Sequence, residues 1–193
     1  MYSKDKDGVT PMLTSVYFGS TEVTQLLVDQ GARLNLYEAA AVGDVHAVKE
    51  NLEKDFELLD VHSEDGWTAL HLASFFGHQK VARLLLDQGA EVNVLSKNAM
   101  KNLPLHAALA GQRTEIAKML IDANSDISVQ DSAGWSPLHH AAAHGADEIV
   151  DILLERGANP KLKNNSGETP LILAEKKGHK SLAKRLLDVL LIS

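Results

Sequence analysis

The sequence predicts an all-α solenoid of helix–turn–helix units joined by short β-hairpin loops, and three observations predict it. A short motif recurs at near-constant spacing: His71, His106 and His139 lie 35 and 33 residues apart in matching surroundings, and Ile172 takes the same slot 33 residues further on. Each copy opens on a helix-start signal and closes on a glycine. Each is then followed by a second stretch carrying paired apolar residues. Self-similarity at this period is the signature of a stacked array, in which no unit buries its own apolar face.

The elements follow in order within each copy. Thr10-Pro11, Thr68-Ala69, Ser136-Pro137 and Thr169-Pro170 are helix starts. The hydroxyl caps free amides, and proline fits the first turn without losing a bond. A short apolar helix then stops at Gly19, Gly43, Gly77, Gly145 or Gly178, glycines suited to a left-handed cap. The second helix carries Leu26-Leu27, Leu84-Leu85, Met119-Leu120, Leu153-Leu154 or Leu186-Leu187, with Gly31, Gly89 and Gly157 ending three of the copies. Turn-rich segments such as Asp131-Ser132-Ala133-Gly134 link one unit to the next. Truncation of Leu85 or Leu153 is expected to cost ~2–5 kcal/mol of stability.

The motifs Gly66-Trp67-Thr68-Ala69-Leu70-His71 with Gly77-His78 and Gly89-Ala90-Glu91-Val92-Asn93 resemble the ankyrin repeat family. So do Gly134-Trp135-Ser136-Pro137-Leu138-His139 with Gly145 and Gly157-Ala158-Asn159. The resemblance covers about residues 5–188 and implies one domain over 1–193. Its six repeats would span about 5–35, 36–62, 63–95, 96–130, 131–163 and 164–193. It further implies an L-shaped stack of helix pairs with projecting hairpin fingers.

Departures from the pattern carry expectations of their own. Two positions separate Asn35 from Tyr37 where the regular spacing gives eleven, so the second repeat should lack its hairpin. Segments that begin this way often open an array, so residues 1–35 look like an extra repeat stacked in front. Asn51 falls in a leucine slot, with Leu52 beside it to compensate. The fourth repeat has a two-residue insertion within 95–102, Leu103 in place of a capping threonine, and Gln112 and Asn124 in the two glycine slots. It is expected to be the weakest of the stack. The last helix has a basic exposed side (Lys176, Lys177, Lys180, Lys184, Arg185), as an end cap should. The front keeps Val16, Phe18 and Val23, which implies either a longer array or a face that meets something.

Composition narrows the function. Of 193 residues, 45% are hydrophobic and 23% charged, which is a globular balance. Cysteine is absent, which excludes disulfides and thiol chemistry. Without a signal-peptide pattern or an apolar membrane-spanning stretch, a cytoplasmic location is the expectation. A net charge of −7 argues against nucleic acid as the main partner. Residues 36–65 carry nine acids and two bases, whereas 156–185 carry eight bases and two acids. The charge is read as solvated faces, or as two ends that orient a charged partner.

No catalytic set emerges, and no cofactor or metal is expected. His71, His106 and His139 occupy the slot in which the family ties helix starts together, and His78 and His179 a place with a turn-bonding role. His140 and His144 share a helix face, a spacing a metal pair needs, but no third ligand accompanies them beyond Asp147. The expected role is that of a protein-interaction module. By the family's spacing, Tyr17, Phe18, Trp67, Phe75, Phe76, Trp135 and His144 face the concave groove, with Glu64 and Asp65 on its rim. Trp67 and Trp135, at finger positions with little around them, are expected to be binding anchors whose truncation leaves stability nearly unchanged. The alternatives are an element that stacks end to end through its first repeat, and a small histidine-based metalloprotein. A monomer is expected, with self-association through the first repeat as the variant.

Overall fold

A computed structural model describes residues 9–192. Within them lie twelve α-helices: α1 Pro11–Tyr17, α2 Thr21–Asp29, α3 Leu36–Val42, α4 Val45–Lys54, α5 Ala69–Phe76, α6 Gln79–Asp87, α7 Pro104–Ala110, α8 Thr114–Asp122, α9 Pro137–His144, α10 Asp147–Glu155, α11 Pro170–Lys176 and α12 Lys180–Ile192. A single 3-10 turn, Phe56–Asp60, follows α4. Consecutive helices pack as antiparallel-type pairs, α1 with α2 through α11 with α12. The odd-numbered helices stack on one another in chain order to form the inner layer, and α4, α6, α8 and α10 stack behind them. One apolar cluster runs through the stack from Leu13 to Leu186, with Leu85 and Leu153 fully buried in it.

The helix starts form as their residues dictate. Thr68 Oγ1 and Ser136 Oγ lie 2.8 and 2.7 Å from Nδ1 of His71 and His139, and the backbone N–H groups of Thr68 and Ser136 donate to the same nitrogens at 3.3 and 3.1 Å. Leu103 has no oxygen to offer and is instead buried to 1% exposure, so α7 exchanges a cap for apolar contact while His106 Nδ1 still accepts from its N–H at 3.2 Å. The helix-ending glycines are left-handed, as expected, and Gln112 and Asn124 adopt the same conformation at φ 57° and 63°.

No strand forms among the described residues. The hairpins are turns closed by main-chain bonds, Ser63 N–H to Trp67 O at 2.8 Å and Asp131 N–H to Trp135 O at 2.9 Å. Successive fingers are joined tip to tip: Lys97 N–H donates to Gly66 O, Ser132 N–H to Met100 O, and Asn165 N–H to Ala133 O. The insertion at 95–102 is absorbed by Lys101 at φ 47° and by Asn98 and Asn102, both accepting from Ser96 Oγ.

At the front the finger is missing, as the spacing predicts: Gln30–Asn35 alone links α2 to α3. Asn51 takes over part of its work, donating to Leu34 O at 3.0 Å and Ala47 O at 2.7 Å, while Leu52 fills the core at 6% exposure. Burial places the loosest packing in this first pair and not in the fourth. Every residue of Pro104–Leu109 is buried, whereas α2 has no buried residue at all.

Candidate functional site

The inner helices end along one side of the stack, and their last residues set the chemistry of that side. Tyr17 and Phe18 come first, then Ala41 and Val42 of α3, then Phe75 and Phe76, then Leu109 and Ala110, then His144, and finally Lys176 and Lys177. That side is therefore largely aromatic toward the front, aliphatic in the middle and basic at the far end.

The aromatic front is a connected run. Tyr17 meets Phe76 at a ring separation of 5.6 Å, Phe76 meets Phe75 edge-on at 5.1 Å, and Phe75 meets Trp67 edge-on at 5.6 Å. Edge-to-face pairs of this kind are favourable beyond their buried area. The Tyr17 hydroxyl donates to Asp65 Oδ2 at 2.5 Å across 48 residues of chain. Burial, then the bond to Asp65 and its charge, push the phenol well above the ordinary tyrosine range. Ser63 Oγ also donates to Asp65, which fixes the carboxylate at the finger tip. Tyr37 sits nearby with its hydroxyl on Val61 O at 3.3 Å, its pKa raised by burial and by the same carboxylate.

Trp67 departs from the expectation. It is 5% exposed: the indole lies over α5, 5.7 Å from the ring of His71 and edge-on to Phe75. It is a core residue supporting Phe75 from behind. Phe75 and Phe76 are half-buried, Asp65 is half-buried, and Glu64 is exposed. Phe18 stands 82% exposed at the outer margin.

The second cluster centres on Trp135, which is half-buried. Its ring lies 5.0 Å from His140, and His140 stands edge-on to His106 at 5.7 Å. His140 Nε2 is 3.0 Å from Asp131 Oδ2, while Asp131 Oδ1 accepts the N–H groups of Ala133 and Trp135 at 2.9 Å. Burial would raise the Asp131 pKa, but the His140 bond and these amides outweigh it and hold the carboxyl below its usual range. Sequence reasoning missed this cluster, having considered His140 with His144 as a metal pair. His144 is exposed and its Nδ1 lies 2.9 Å from the carbonyl of His140, so the two rings point their nitrogens at different partners. No group of three metal-capable side chains occurs among the described residues.

The buried histidines are structural ties. Nε2 of His71, His106 and His139 lies 3.0–3.1 Å from the carbonyls of Asn102, Val129 and Glu168, each 23–31 residues ahead in the chain. A carbonyl can only accept, so Nε2 carries the proton and Nδ1 is left to accept from the helix start. Burial lowers the pKa of His71 and of His106 to about 4, and that of His139 in the same direction.

Paired helices stacked in two layers and fingers linked by main-chain bonds define a helical repeat protein. The model for "Ankyrin repeats (3 copies)" matches residues 1–96, 36–131 and 107–190, and the chain belongs to the ankyrin repeat family, whose members are typically non-catalytic. It is 34% identical over 132 residues to the Transient receptor potential cation channel subfamily A member 1 homolog of Caenorhabditis elegans, a match covering 64% of this chain and 11% of the channel. It is 30% identical over 150 residues to the Probable 26S proteasome regulatory subunit p28 of Saccharomyces cerevisiae, covering 70% of this chain and 65% of that subunit. Ankyrin repeat and SAM domain-containing protein 6 of Rattus norvegicus is 30% identical over 114 residues, or 59% of this chain and 10% of its own. The chain thus spans less than two thirds of the length of each of these relatives. No helix among the described residues is long and apolar enough to cross a membrane.

Proposed function

We propose that this chain is a non-catalytic protein-interaction module of six repeats, with the boundaries given above, acting in the cytoplasm. Its concave groove binds a segment of a protein partner, and neither nucleic acid nor membrane is its target. One observation supports the reading: Tyr17, Phe76 and Phe75 form a ring-to-ring run where the inner helices end, and Trp135 with His140 forms a separate aromatic cluster two helix pairs further on. Half-exposed aromatics backed by packed rings are pre-organised anchors, and such residues dominate binding hot spots. Glu64 and Asp65 border the run at the front and His144 at the back, so they form its polar rim. The test is affinity capture from the source-cell lysate with the wild type beside Phe76→Ala and Trp135→Ala. Each variant is expected to weaken retention of the partner by ~2 kcal/mol or more. Identical captures by folded variants would remove the groove as the site.

A second reading has an observation of its own. Phe18, Val23 and Leu26 of the first pair are 82%, 48% and 56% exposed, and Leu191 and Ile192 of α12 are 76% and 88% exposed. Two apolar ends on one solenoid support end-to-end stacking of copies. Light scattering then shows a mass that rises with concentration and falls to that of one chain in Phe18→Lys. A strictly monomeric wild type sinks this reading.

A further inference from the structure

Three inner helices are bonded at their start to the loop that leads into the next inner helix. Nε2 of His71, His106 and His139 reaches a main-chain carbonyl in that loop, at Asn102, Val129 and Glu168. The start of α1 has only a short stretch of chain to meet, because Gln30–Asn35 alone separates α2 from α3. A cavity of about 450 Å³ lies between that start and the short link. Pro11, Met12, Leu27 and Ala32 form its apolar lining, and Thr10, Arg33, Asn35 and Glu38 its polar lining. The volume falls within the roughly 300–1,000 Å³ of pockets that take a small ligand.

Glu38 is the buried charge of this cavity. It holds the third position of α3, as His71 does in α5, and is 8% exposed. Its Oε2 accepts the Asn35 N–H at 2.9 Å and so closes a capping box. Its Oε1 accepts from no described residue. Arg33 lines the cavity from an exposed position and forms no ion pair with Glu38. A buried carboxylate therefore faces an open space without a counter-charge, an arrangement that a bound cation would relieve.

We propose that this cavity is a subsite for a lysine side chain, carried by a loop of a protein partner that lies in place of the missing finger. The ammonium pairs with Glu38 Oε1. Thr10 Oγ1 and Asn35 Oδ1 each accept one main-chain N–H and keep a lone pair for its remaining donors. The four-carbon stem lies along Met12 and Leu27. Lysine is preferred to arginine because a guanidinium takes both oxygens of a carboxylate, and Oε2 is already engaged. Residues 36–65, with nine acids against two bases, add a negative field that draws a cation to this part of the chain. That the lysine comes from a protein rests on the interaction reading above, although the cavity is separate from the aromatic run.

The test is an NMR titration of the full chain with the blocked tripeptide acetyl-Gly-Lys-Gly-amide. Saturable shifts are expected at the amides of Met12, Arg33 and Glu38. Binding should be roughly tenfold weaker when norleucine replaces the lysine, since it keeps the stem and lacks the ammonium. Arginine in that place should also bind more weakly than lysine. Glu38→Gln should lose the same roughly tenfold while keeping a near-wild-type thermal midpoint, because a glutamine carbonyl still accepts the Asn35 N–H. Absent shifts, equal binding of the norleucine or arginine peptide, or unchanged binding by folded Glu38→Gln overturns the proposal. With a captured partner in hand, Glu38→Gln should weaken its binding by roughly fivefold or more. If Phe76→Ala and Trp135→Ala lower affinity and Glu38→Gln does not, the cavity falls and the groove stands. If the groove variants have no effect while the peptides bind as described, the groove reading falls and the lysine subsite stands.

Discussion

Trp67 and Trp135 follow the same glycine in the same motif, yet their surroundings differ, and the difference lies in one neighbour. Phe75 at the end of α5 supplies a ring for Trp67 to pack against edge-on, and Trp67 closes over it to 5% exposure. The position matching Phe75 near the end of α9 is Ala143, so Trp135 finds no such partner and lies instead beside His140, half-buried. Single-residue reading could place both indoles at the finger base but could not see which inner helix would receive them. Trp67→Ala is therefore expected to destabilise the fold by ~3–5 kcal/mol, as large core truncations do. Urea unfolding checks this, and a loss below about 1 kcal/mol would return Trp67 to the surface.

At the level of the element, every inner helix that begins with a buried histidine depends on that ring being neutral. Nε2 donates to a carbonyl of the following finger while Nδ1 accepts at its own helix start, so a second ring proton would meet a donor. The folded pKa of His71 and His106 is about 4, against an ordinary value near 6.5. A group whose folded pKa is depressed in this way leaves the unfolded chain holding more protons between those limits. Stability is then fully present above pH 6.5 and is lost as pH falls toward 4. Between pH 7.5 and 5 each of the two should withdraw about 2 kcal/mol. Urea midpoints across that interval should fall with acid, and the slope should flatten in His71→Gln. A flat profile in the wild type would mean that these rings are not buried neutral. The elements themselves were legible because caps, stops and apolar pairs are local signals. The Asp131–His140–Trp135 cluster was not, since it joins a finger to a helix face and its spacing matches no recurring motif.

Across the whole molecule, order of stacking and the missing front finger were both legible, the first from the repeat period and the second from nine absent positions. The distribution of packing was not. Local flaws in the fourth unit, Gln112 and Leu103 above all, suggested weakness there, but Gln112 sits opposite the small Ala146 and Leu103 contributes burial, so each departure has a counterpart elsewhere. The first pair has no such compensation, with α2 carrying no buried residue and no finger behind it. Hydrogen exchange should find the amides of α2 the least protected among the helices and those of α7 and α9 among the most. Uniform protection from α2 to α10 would contradict the burial pattern.

The tip-to-tip bonds between fingers have a mechanical meaning. Each loop hangs one backbone bond on the next, from Gly66 through Met100 and Ala133 to Asn165, so a load applied between the ends is shared in series along that seam. The seam begins only at the third helix pair. Ahead of it, the first pair is tethered through the α1–α3 contact and the Tyr17–Asp65 bond, much as a clasp holds the end of a coiled spring. A spring built this way is stiff over most of its length and compliant at one end. That compliant end carries Tyr17, so the spacing between Tyr17 and Phe76 follows how firmly the clasp is shut.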